Sequence, residues 1–401
     1  MATFAELWES LLPIGRDDGT GGYFRQSWTE PELRCRAWFT DQAERRGMAV
    51  ERDGNGNLFA WWAEGKGQAV LTGSHFDSVP GGGAYDGPLG IVSAFAAVDV
   101  LRAEGFRPGH PIGVAAFVEE EGARFGVSCL GSRLLAGEID PDRAAGLTDA
   151  EGTTFAEAVS GDLGPEPPED YRIGRDDDLL GRIGSFVELH VEQGRALDVP
   201  VGVAGAIWPH GRWRMDFAGR GDHAGSTRLE DRHDPMQPFA HAVIAAREAA
   251  ERHGARATVG RVRALPGGTN VIASQVTAWL DARGPGDEVV RATVAEIRER
   301  VSLAAAFHGV DFGLSAESYT SLVDFDADLR KRIVAALGGA PVLPTAAGHD
   351  AGILAARLPT AMLFVRNPTG VSHAPEEHAT EADCLAGVAA LAAVLRDLAA
   401  P

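Results

Sequence analysis

The sequence alternates short apolar runs with helical patterns, and a block of different texture interrupts this alternation once. Residues 58–62, 69–73 and 112–118 read as buried strands, and residues 90–102 between them have the spacing of a helix. Alternating strands and helices are typical of an α/β fold with a largely parallel sheet. The pattern returns near the end of the chain, with a helix over 327–337 and a strand over 361–365. We therefore expect one α/β core built from both ends of the chain.

The interrupting block, residues 209–317, has a complete set of elements of its own. Strands are predicted at 213–217, 258–265, 276–283 and 310–316, and two long Ala-rich helices at 235–252 and 287–307. Their order, βαββαβ, is that of a self-contained split unit. The predicted boundaries are thus 1–208 and 318–401 for the two parts of the core and 209–317 for the insertion. Residues 139–178, rich in Asp, Glu, Gly and Pro, predict a short helix and a long surface connection.

The balance of charge excludes several classes of partner. Among the 401 residues, 57 Asp and Glu outnumber 37 Lys and Arg, so the formal net charge is −20. A nucleic acid or an anionic membrane needs a basic surface, and we therefore expect neither as a partner. Three cysteines without regular spacing argue against a disulfide framework and against a thiolate zinc site. With no leader-like start and no apolar stretch of membrane-spanning length, we expect a cytoplasmic protein.

A histidine and two aspartates surround the end of the strand predicted at 69–73. His75 and Asp77 follow this strand directly, and a glycine-rich loop leads on to Asp86. Open α/β folds bind ligands at the carboxyl ends of their strands. The Asp77 carboxylate is placed to accept the ring N–H of His75 and to fix its tautomer, as partners of metal ligands do. Taken alone, this segment is also compatible with a histidine that only stabilises a turn.

Three further strand ends carry the same kind of side chain. Residues 119–121, all glutamates, follow the strand at 112–118, and three adjacent carboxylates are unfavourable unless cations neutralise them. One can bind a metal while its neighbour serves as general base. His190 ends another strand, and His373 lies in a loop after the strand at 361–365. Imidazole and carboxylate ligands without thiolates suit Zn, Mn, Co or Ni. The four segments together indicate two divalent metals that share one carboxylate.

These motifs resemble those of the M20-type metallo-amidohydrolases, in the branch of the N-carbamoyl-L-amino acid hydrolases and allantoate amidohydrolases. The resemblance covers nearly the whole chain and rests on GSHFDSVPGGGAYDG, EEEGARF, ELHVEQG, GDHAGSTRLEDRHDP, PGGTNVIAS, LDAR, AGHDA and VSHAPEE. It implies a di-metal α/β catalytic domain with a mostly parallel central sheet and an inserted, ferredoxin-like lid and dimerisation domain. It also implies a homodimer that hydrolyses the ureido C–N bond of a small carboxylate and releases ammonia and carbon dioxide.

The resemblance further implies a role for each matching residue. Two divalent ions per subunit would be held by His75, Asp86 and His190 and by Asp86, Glu121 and His373, with Asp86 bridging. Glu120 would be the general base, and His223 would reach the partner subunit's site and polarise the substrate carbonyl. The substrate-binding residues would be Gln193, Asn270, Arg283 and His349, and Asp77 would support the metal ligands.

Four points concern alternatives to this interpretation or features that it leaves open. Arg195 and Arg228 stand where family members often have proline, which could alter the rigidity of the metal site or the choice of substrate. An M20-type dipeptidase or aminoacylase would keep the metals with a different substrate pocket. A catalytically silent binding protein on the same fold would have lost a ligand or the base, and none is missing. The choice between allantoate and N-carbamoyl amino acids depends on loop geometry.

Overall fold

A computed structural model of the protein describes residues 3–163 and 171–401. Its α-helices are α1 Phe4–Leu11, α2 Glu30–Arg45, α3 Pro88–Ala103, α4 Leu130–Ala136, α5 Pro141–Ala145, α6 Phe155–Leu163, α7 Asp177–Gly181, α8 Met236–His253, α9 Asp287–Phe307, α10 Ala327–Ala336, α11 Asp350–Leu354 and α12 Glu381–Leu398. Its strands are β1 Ala49–Arg52, β2 Leu58–Trp62, β3 Ala69–His75, β4 Ile112–Phe117, β5 Ile183–Val191, β6 Val201–Ile207, β7 His210–Ala218, β8 Asp222–His223, β9 Arg256–Leu265, β10 Val271–Ile272, β11 Gln275–Arg283, β12 Asp311–Thr320, β13 Val323–Asp324, β14 Val342–Thr345 and β15 Thr360–Val365.

The chain divides into two compact units, and the second interrupts the first. The first unit covers Met1–Gly205 and Asp324–Pro401, and the second covers Ala206–Val323. The sequence predicts the same order of segments, with boundaries after residues 208 and 317.

A nine-stranded sheet forms the centre of the first unit. Its strands follow the order β1-β2-β4-β3-β5-β15-β6-β13, and β14 pairs with β6. The four middle strands, β4, β3, β5 and β15, run parallel, whereas β1 pairs antiparallel with β2, β2 with β4, and β6 with β15. The α/β class with a mostly parallel central sheet is therefore confirmed.

The helix α3 fixes the position of the central strands. Pro88 occupies its first turn, where a missing N–H costs nothing, and almost every residue of the helix is buried. A helix that is apolar on all sides belongs in a core rather than at a surface. It packs between β3 and α12, and its residues Leu89, Val92 and Phe95 are fully buried in the largest apolar cluster of the unit.

The second unit contains a four-stranded antiparallel sheet in the order β12-β7-β11-β9. The helices α8 and α9 cover one face of it, so the elements follow the predicted order βαββαβ. Side chains alternate as expected for a half-buried sheet: Met215 and Phe217 point into the core beneath the helices, and their neighbours point to the opposite face. A small pair of strands, β8 and β10, lies beside the main sheet.

The prediction for residues 139–178 is wrong, because this segment forms α5, α6 and the start of α7 rather than one short helix. Phe155 and Val159, one helical turn apart on α6, are fully buried in a second apolar cluster of the first unit. The many acidic and glycine residues around them conceal this apolar stripe in the sequence. Residues 164–170 of the predicted connection lie outside the described part of the chain. The strands β6 and β14 were also not predicted.

Two further observations concern the chain as a whole. Cys35, Cys129 and Cys384 are all buried and none is in a disulfide, as their spacing predicts. In the described residues, no helix combines the length and the apolar character that crossing a membrane requires.

Candidate metal centre

The four middle strands of the large sheet bring the four segments that carry candidate metal ligands to one edge of that sheet. The strand β3 ends at His75, β5 contains His190 as its penultimate residue, and β4 and β15 lead into the loops that carry the glutamates and His373. Because these strands are parallel neighbours, their carboxyl ends lie side by side. The fold therefore brings together segments that are far apart in the sequence.

Asp86 lies at the centre of this edge, and its two carboxylate oxygens face different groups. Oδ1 lies 3.6 Å from Nε2 of His75 and 3.2 Å from Nε2 of His190. Oδ2 lies 3.3 Å from Nε2 of His373, which in turn lies 3.5 Å from Oε2 of Glu121. One buried carboxylate is thus shared between two sets of candidate ligand atoms.

Backbone carbonyls fix the orientation of both buried imidazoles. Nδ1 of His75 lies 2.9 Å from the carbonyl oxygen of Asp77, and Nδ1 of His190 lies 2.9 Å from that of Val191. A ring N–H that donates to a carbonyl leaves Nε2 as the acceptor atom that faces Asp86. In its neutral form, each ring would then present the lone pair of Nε2, as a metal ligand does.

The predicted hydrogen bond between the Asp77 carboxylate and the ring N–H of His75 is not present. Its carboxylate lies 3.6 Å from Nδ1 of His75, too far for a hydrogen bond, and the backbone carbonyl takes that place. The carboxylate instead accepts hydrogen bonds from the backbone N–H groups of Glu120 at 3.1 Å and Glu121 at 3.0 Å. Asp77 therefore fixes the glutamate loop after β4, and the sequence pattern His-x-Asp does not reveal this.

The three consecutive glutamates have three different environments. Glu119, in a left-handed backbone conformation with φ of 57°, accepts backbone hydrogen bonds from Arg124 and Phe125 and stabilises its own loop. Oε2 of Glu120 lies 3.8 Å from Nε2 of His75. Glu121 faces His373 instead. Only the second and third glutamates therefore face the candidate centre.

Burial perturbs the pKa of each carboxylate at the centre. It raises the pKa of Glu120 well above its usual value, with a further contribution from the charge of Glu121. Burial and the charge of Asp86 raise the pKa of Glu121 to about 7. For Asp86, burial is outweighed by hydrogen bonds with His190, His373 and His75, and its pKa lies well below the usual value. Such a concentration of buried acidic groups is stabilised by added positive charge.

The donor atoms present fit divalent metal ions. Among the described residues, Nε2 of His75 and Oε1 of Glu121 are buried without a hydrogen-bond partner. Two groups of ligand atoms, each within 4.8 Å of one another, share Asp86; they are His75, Asp86 and His190, and Asp86, Glu121 and His373. Imidazole nitrogens and carboxylate oxygens in these numbers suit borderline divalent ions.

A third group, formed by Glu188, His190 and His349, fits a metal less well. Both carboxylate oxygens of Glu188 already accept hydrogen bonds, from Oγ of Ser74 at 2.8 Å and from the backbone N–H of Ala351 at 2.9 Å. Nε2 of His190 faces Asp86. This group therefore supports the neighbouring centre rather than forming one of its own.

His349 lies against the centre as a buried and neutral imidazole. Its ring centroid is 4.5 Å from that of His190, and neither ring nitrogen has a hydrogen-bond partner among the described residues. Burial and the nearby His190 hold its pKa well below the usual value. Buried polar atoms without partners are rare in proteins, so these two nitrogens mark a place where a ligand or water belongs. The predicted role of His349 in substrate binding is compatible with this position.

Gln193 contacts the shared carboxylate directly. Its Nε2 donates to Oδ2 of Asp86 at 2.8 Å and to Oγ of Ser372 at 3.1 Å, and lies 3.2 Å from Nε2 of His373. The resemblance assigns Gln193 to substrate binding, and the structure places it at the second group of ligand atoms.

Two further residues, which no motif in the sequence indicates, support the centre. Oε1 of Glu377 accepts hydrogen bonds from the backbone N–H groups of Tyr85 at 3.0 Å and Asp86 at 2.9 Å, which fixes the backbone of the shared carboxylate. Cys129 donates its thiol to Oε1 of Glu120 at 3.4 Å. Glu377 lies in the same VSHAPEE motif as His373, but nothing in that motif indicates a backbone partner nearly three hundred residues earlier.

The remaining predicted residues belong to the second unit. Nδ1 of the exposed His223 accepts hydrogen bonds from the backbone N–H groups of Gly225 at 3.0 Å and Ser226 at 3.1 Å. The carbonyl of Asn270 accepts a hydrogen bond from the N–H of Ala224, so the loops of His223 and Asn270 are adjacent. Arg283, at the end of β11, forms a bidentate ion pair with Asp281 on the same strand, with distances of 2.8 and 3.1 Å.

Residues 71–397 match the sequence pattern that defines peptidase family M20/M25/M40. The chain belongs to this family. The matched region of the M20 chain contains both groups of candidate ligands. Enzymes of the M20 family typically bind divalent metal ions, and the residues described above are suited to hold them.

Within the M20 family, the chain is similar over nearly its full length to several amidohydrolases. It is 36% identical to an N-carbamoyl-L-amino acid amidohydrolase of Geobacillus stearothermophilus, over 96% of both chains. It is 31% identical to the allantoate amidohydrolase of Escherichia coli, over 99% of this chain and 98% of that one. The crystal structure of a hydantoinase/carbamoylase family amidase from Burkholderia vietnamiensis superposes with a TM-score of 0.88, at 30% identity and over 99% and 98% of the two chains.

Proposed function

We propose that this protein hydrolyses the ureido C–N bond of a small carboxylate, either an N-carbamoyl-L-amino acid or allantoate, and releases ammonia and carbon dioxide. The observation that carries this proposal is the position of Asp86, whose two oxygens face two different sets of ligand atoms. Two relatives that align with the protein over nearly their full length are an N-carbamoyl-L-amino acid amidohydrolase and an allantoate amidohydrolase. An M20-type dipeptidase or aminoacylase is the alternative within the family.

Two divalent ions per subunit, of Zn, Mn, Co or Ni, would be held at this centre. His75, Asp86 and His190 would bind one ion, and Asp86, Glu121 and His373 would bind the other. When bound, such ions polarise a carbonyl group and lower the pKa of water toward neutrality.

Glu120 would move the proton during hydrolysis. Its backbone is held by Asp77, and one carboxylate oxygen is oriented by the thiol of Cys129 at 3.4 Å. The other oxygen points toward His75, and thus into the centre. A carboxylate fixed in this way can take a proton from the attacking water and deliver it to the leaving nitrogen.

His223 would stabilise the negative charge that develops on the carbonyl oxygen. Two backbone N–H groups donate to its Nδ1, so in the neutral ring the proton resides on Nε2. Nε2–H is then a hydrogen-bond donor. Donors aimed at a developing oxyanion are among the largest contributions to such reactions.

The positions of the proposed substrate residues within the second unit support a homodimer. Arg283 pairs with His210 at one end of β11, and Gln275 pairs with Ala218 at the other end, where the His223 and Asn270 loops follow. Eight residue steps along a strand correspond to about 27 Å. A small substrate cannot span this distance, so contacts with both Arg283 and His223 would require two copies of the chain. Arg283 would exchange its contact with Asp281 for the substrate carboxylate.

The test is an ammonia-release assay on purified protein that has been treated with a chelator and reloaded with Mn or Zn. We expect activity on allantoate or on N-carbamoyl-L-amino acids only after reloading, because the proposed reaction depends on the metal ions. The matched control is the same N-carbamoyl amino acid with its carboxylate amidated, which should be a poor substrate. Full activity without metal, or faster cleavage of dipeptides than of ureido compounds, would contradict the proposal.

A further inference from the structure

One face of the sheet in the second unit is covered by α8 and α9, and the opposite face carries a cluster of arginines. We call this second surface the outer sheet face; it consists of the residues of β7, β9, β11 and β12 that point away from the helices. The strand register places Arg214 and Arg261 directly on either side of Trp279. In the next row, Arg263 lies opposite Thr277. Directly paired side chains on one sheet face are about 5 Å apart.

These side chains surround a cavity of about 300 Å³ on the outer sheet face. The residues that line it are Arg214, Arg261, Arg263, Leu265, Gln275, Thr277 and Trp279. Its volume is at the lower end of the range for small-molecule sites, and its lining combines an aromatic wall with polar donors. The cavity would thus hold a small ligand rather than a folded segment.

The charges around this cavity are not balanced. Asp216, which contacts two of the lining residues, already accepts hydrogen bonds from Nε and a terminal nitrogen of Arg214, at 3.1 and 2.9 Å, and from the hydroxyl of Thr277 at 3.0 Å. The guanidinium of Arg261 lies 4.3 Å above the ring of Trp279. Arg263 forms neither an ion pair nor a side-chain hydrogen bond within the part of the chain that the structure describes. No lining residue is acidic.

The whole chain has a formal net charge of −20, so a local excess of guanidinium groups is unusual for this protein. Glu317, on β12, accepts the indole N–H of Trp279 at 3.0 Å. Neither Asp216 nor Glu317 is therefore a partner of Arg263. A planar guanidinium fork matches the oxygens of phosphate, sulfate or carboxylate groups, and charge-assisted hydrogen bonds of this kind are strong.

We propose that the cavity on the outer sheet face is a binding site for a small multivalent oxyanion, held by Arg261 and Arg263 with Gln275 beside them. Arg214 lines the cavity but remains paired with Asp216. None of the residues that line this cavity belongs to the candidate metal centre. Tetrahedral dianions and small dicarboxylates share the required chemistry of two or more anionic oxygens.

The test is isothermal titration calorimetry of the metal-loaded protein with three probes: inorganic phosphate, sulfate and succinate. The variant is Arg263→Gln, which removes an exposed side chain without a partner and should leave folding intact. The matched control is Arg298→Gln, which removes an equally exposed arginine from α9, on the helical side of the same unit. Loss of one charge-assisted contact should weaken binding of at least one probe by about tenfold or more in Arg263→Gln.

The control should bind the probes as the wild type does, and binding should weaken as ionic strength rises. A preference for phosphate and sulfate over succinate would identify a tetrahedral anion, and the reverse would identify a dicarboxylate. Equal affinities in all three proteins would show that the anion binds elsewhere, for example at the metals, and would overturn the proposal. The absence of saturable binding in the wild type would overturn it as well.

Discussion

Three consecutive glutamates, Glu119 to Glu121, show how neighbouring residues of one type acquire different chemistry. The left-handed backbone at Glu119 turns its side chain into its own loop, and the two backbone hydrogen bonds to Asp77 hold the next two residues at the strand edge. Glu120 then points toward His75 and Glu121 toward His373. The sequence identifies the cluster, but the separation of roles depends on backbone angles and on a carboxylate from another strand.

Separate substitutions of Glu120 and Glu121 should therefore have different effects. Glu120→Gln keeps the size of the side chain but removes the base, so we expect full metal content and a kcat lower by on the order of 10²–10⁴. Glu121→Gln should instead release one of the two metals, because a neutral amide is a poor ligand. Metal analysis and steady-state kinetics of both variants distinguish these outcomes. A Glu120→Gln protein that loses metal while Glu121→Gln stays fully loaded would reverse the two assignments.

At the scale of elements, the turn between β3 and α3 sets the position of Asp86. Gly87 has φ of 84°, a conformation that side chains with a Cβ rarely adopt, and a Cβ there would lie 2.5 Å from the ring of His75. The backbone must approach the imidazole this closely for the neighbouring carboxylate to reach Nε2 of both buried histidines. The glycine is thus a requirement of the site as well as of the turn.

Gly87→Ala should lower both the stability of the protein and its metal affinity. Gly87 precedes α3, and a glycine beyond the other end of the same helix provides the control. Gly105, just beyond the end of α3, has φ of 72°, and a Cβ there would meet nothing within 4 Å. Gly105→Ala should cost about 1–2 kcal/mol of unfolding free energy through backbone strain alone and leave metal binding unchanged. Urea unfolding and metal titration measure the two effects. Equal metal affinities in the two variants would contradict the proposed role of the Gly87 turn.

The sequence predicts most elements of both units because their apolar patterns are regular. The predicted strand at 58–62 coincides with β2. The strand predicted at 69–73 is two residues shorter than β3, which ends at His75. It fails where the pattern is diluted, as for α6, whose buried Phe155 and Val159 are surrounded by acidic residues. The candidate ligands lie close together because each is at the end of one of the parallel strands or in the loop that follows it. The partners of Asp77 and Glu377 could not be predicted, since both bind backbone groups of segments distant in the sequence.

At the scale of the whole molecule, the proposed sharing of sites between two chains is open to a direct test. A His223→Ala chain and a Glu120→Gln chain should each be nearly inactive. After subunit exchange, half of the dimers are mixed, and each mixed dimer has one site with both residues intact. The mixture should thus recover about one quarter of the wild-type activity per chain.

Exchange must be confirmed independently, for example by native mass spectrometry of chains that differ in mass. Each variant incubated alone is the control for activity that returns without mixing. If exchange is complete and the activity stays at the level of the single variants, His223 acts within its own chain or outside the reaction.

The order of the proposed ligands along the chain has a consequence for how the protein is made. His75, Asp86 and His190 all precede the second unit, whereas Glu121 and His373 lie on opposite sides of it. During synthesis, the amino-terminal segments leave the ribosome before the insertion and the carboxyl-terminal part of the first unit do. One ion position is then encoded in full before the insertion emerges, but the other has to wait until translation is almost complete. A prematurely terminated chain would retain the ligands of the first position and lack a ligand of the second.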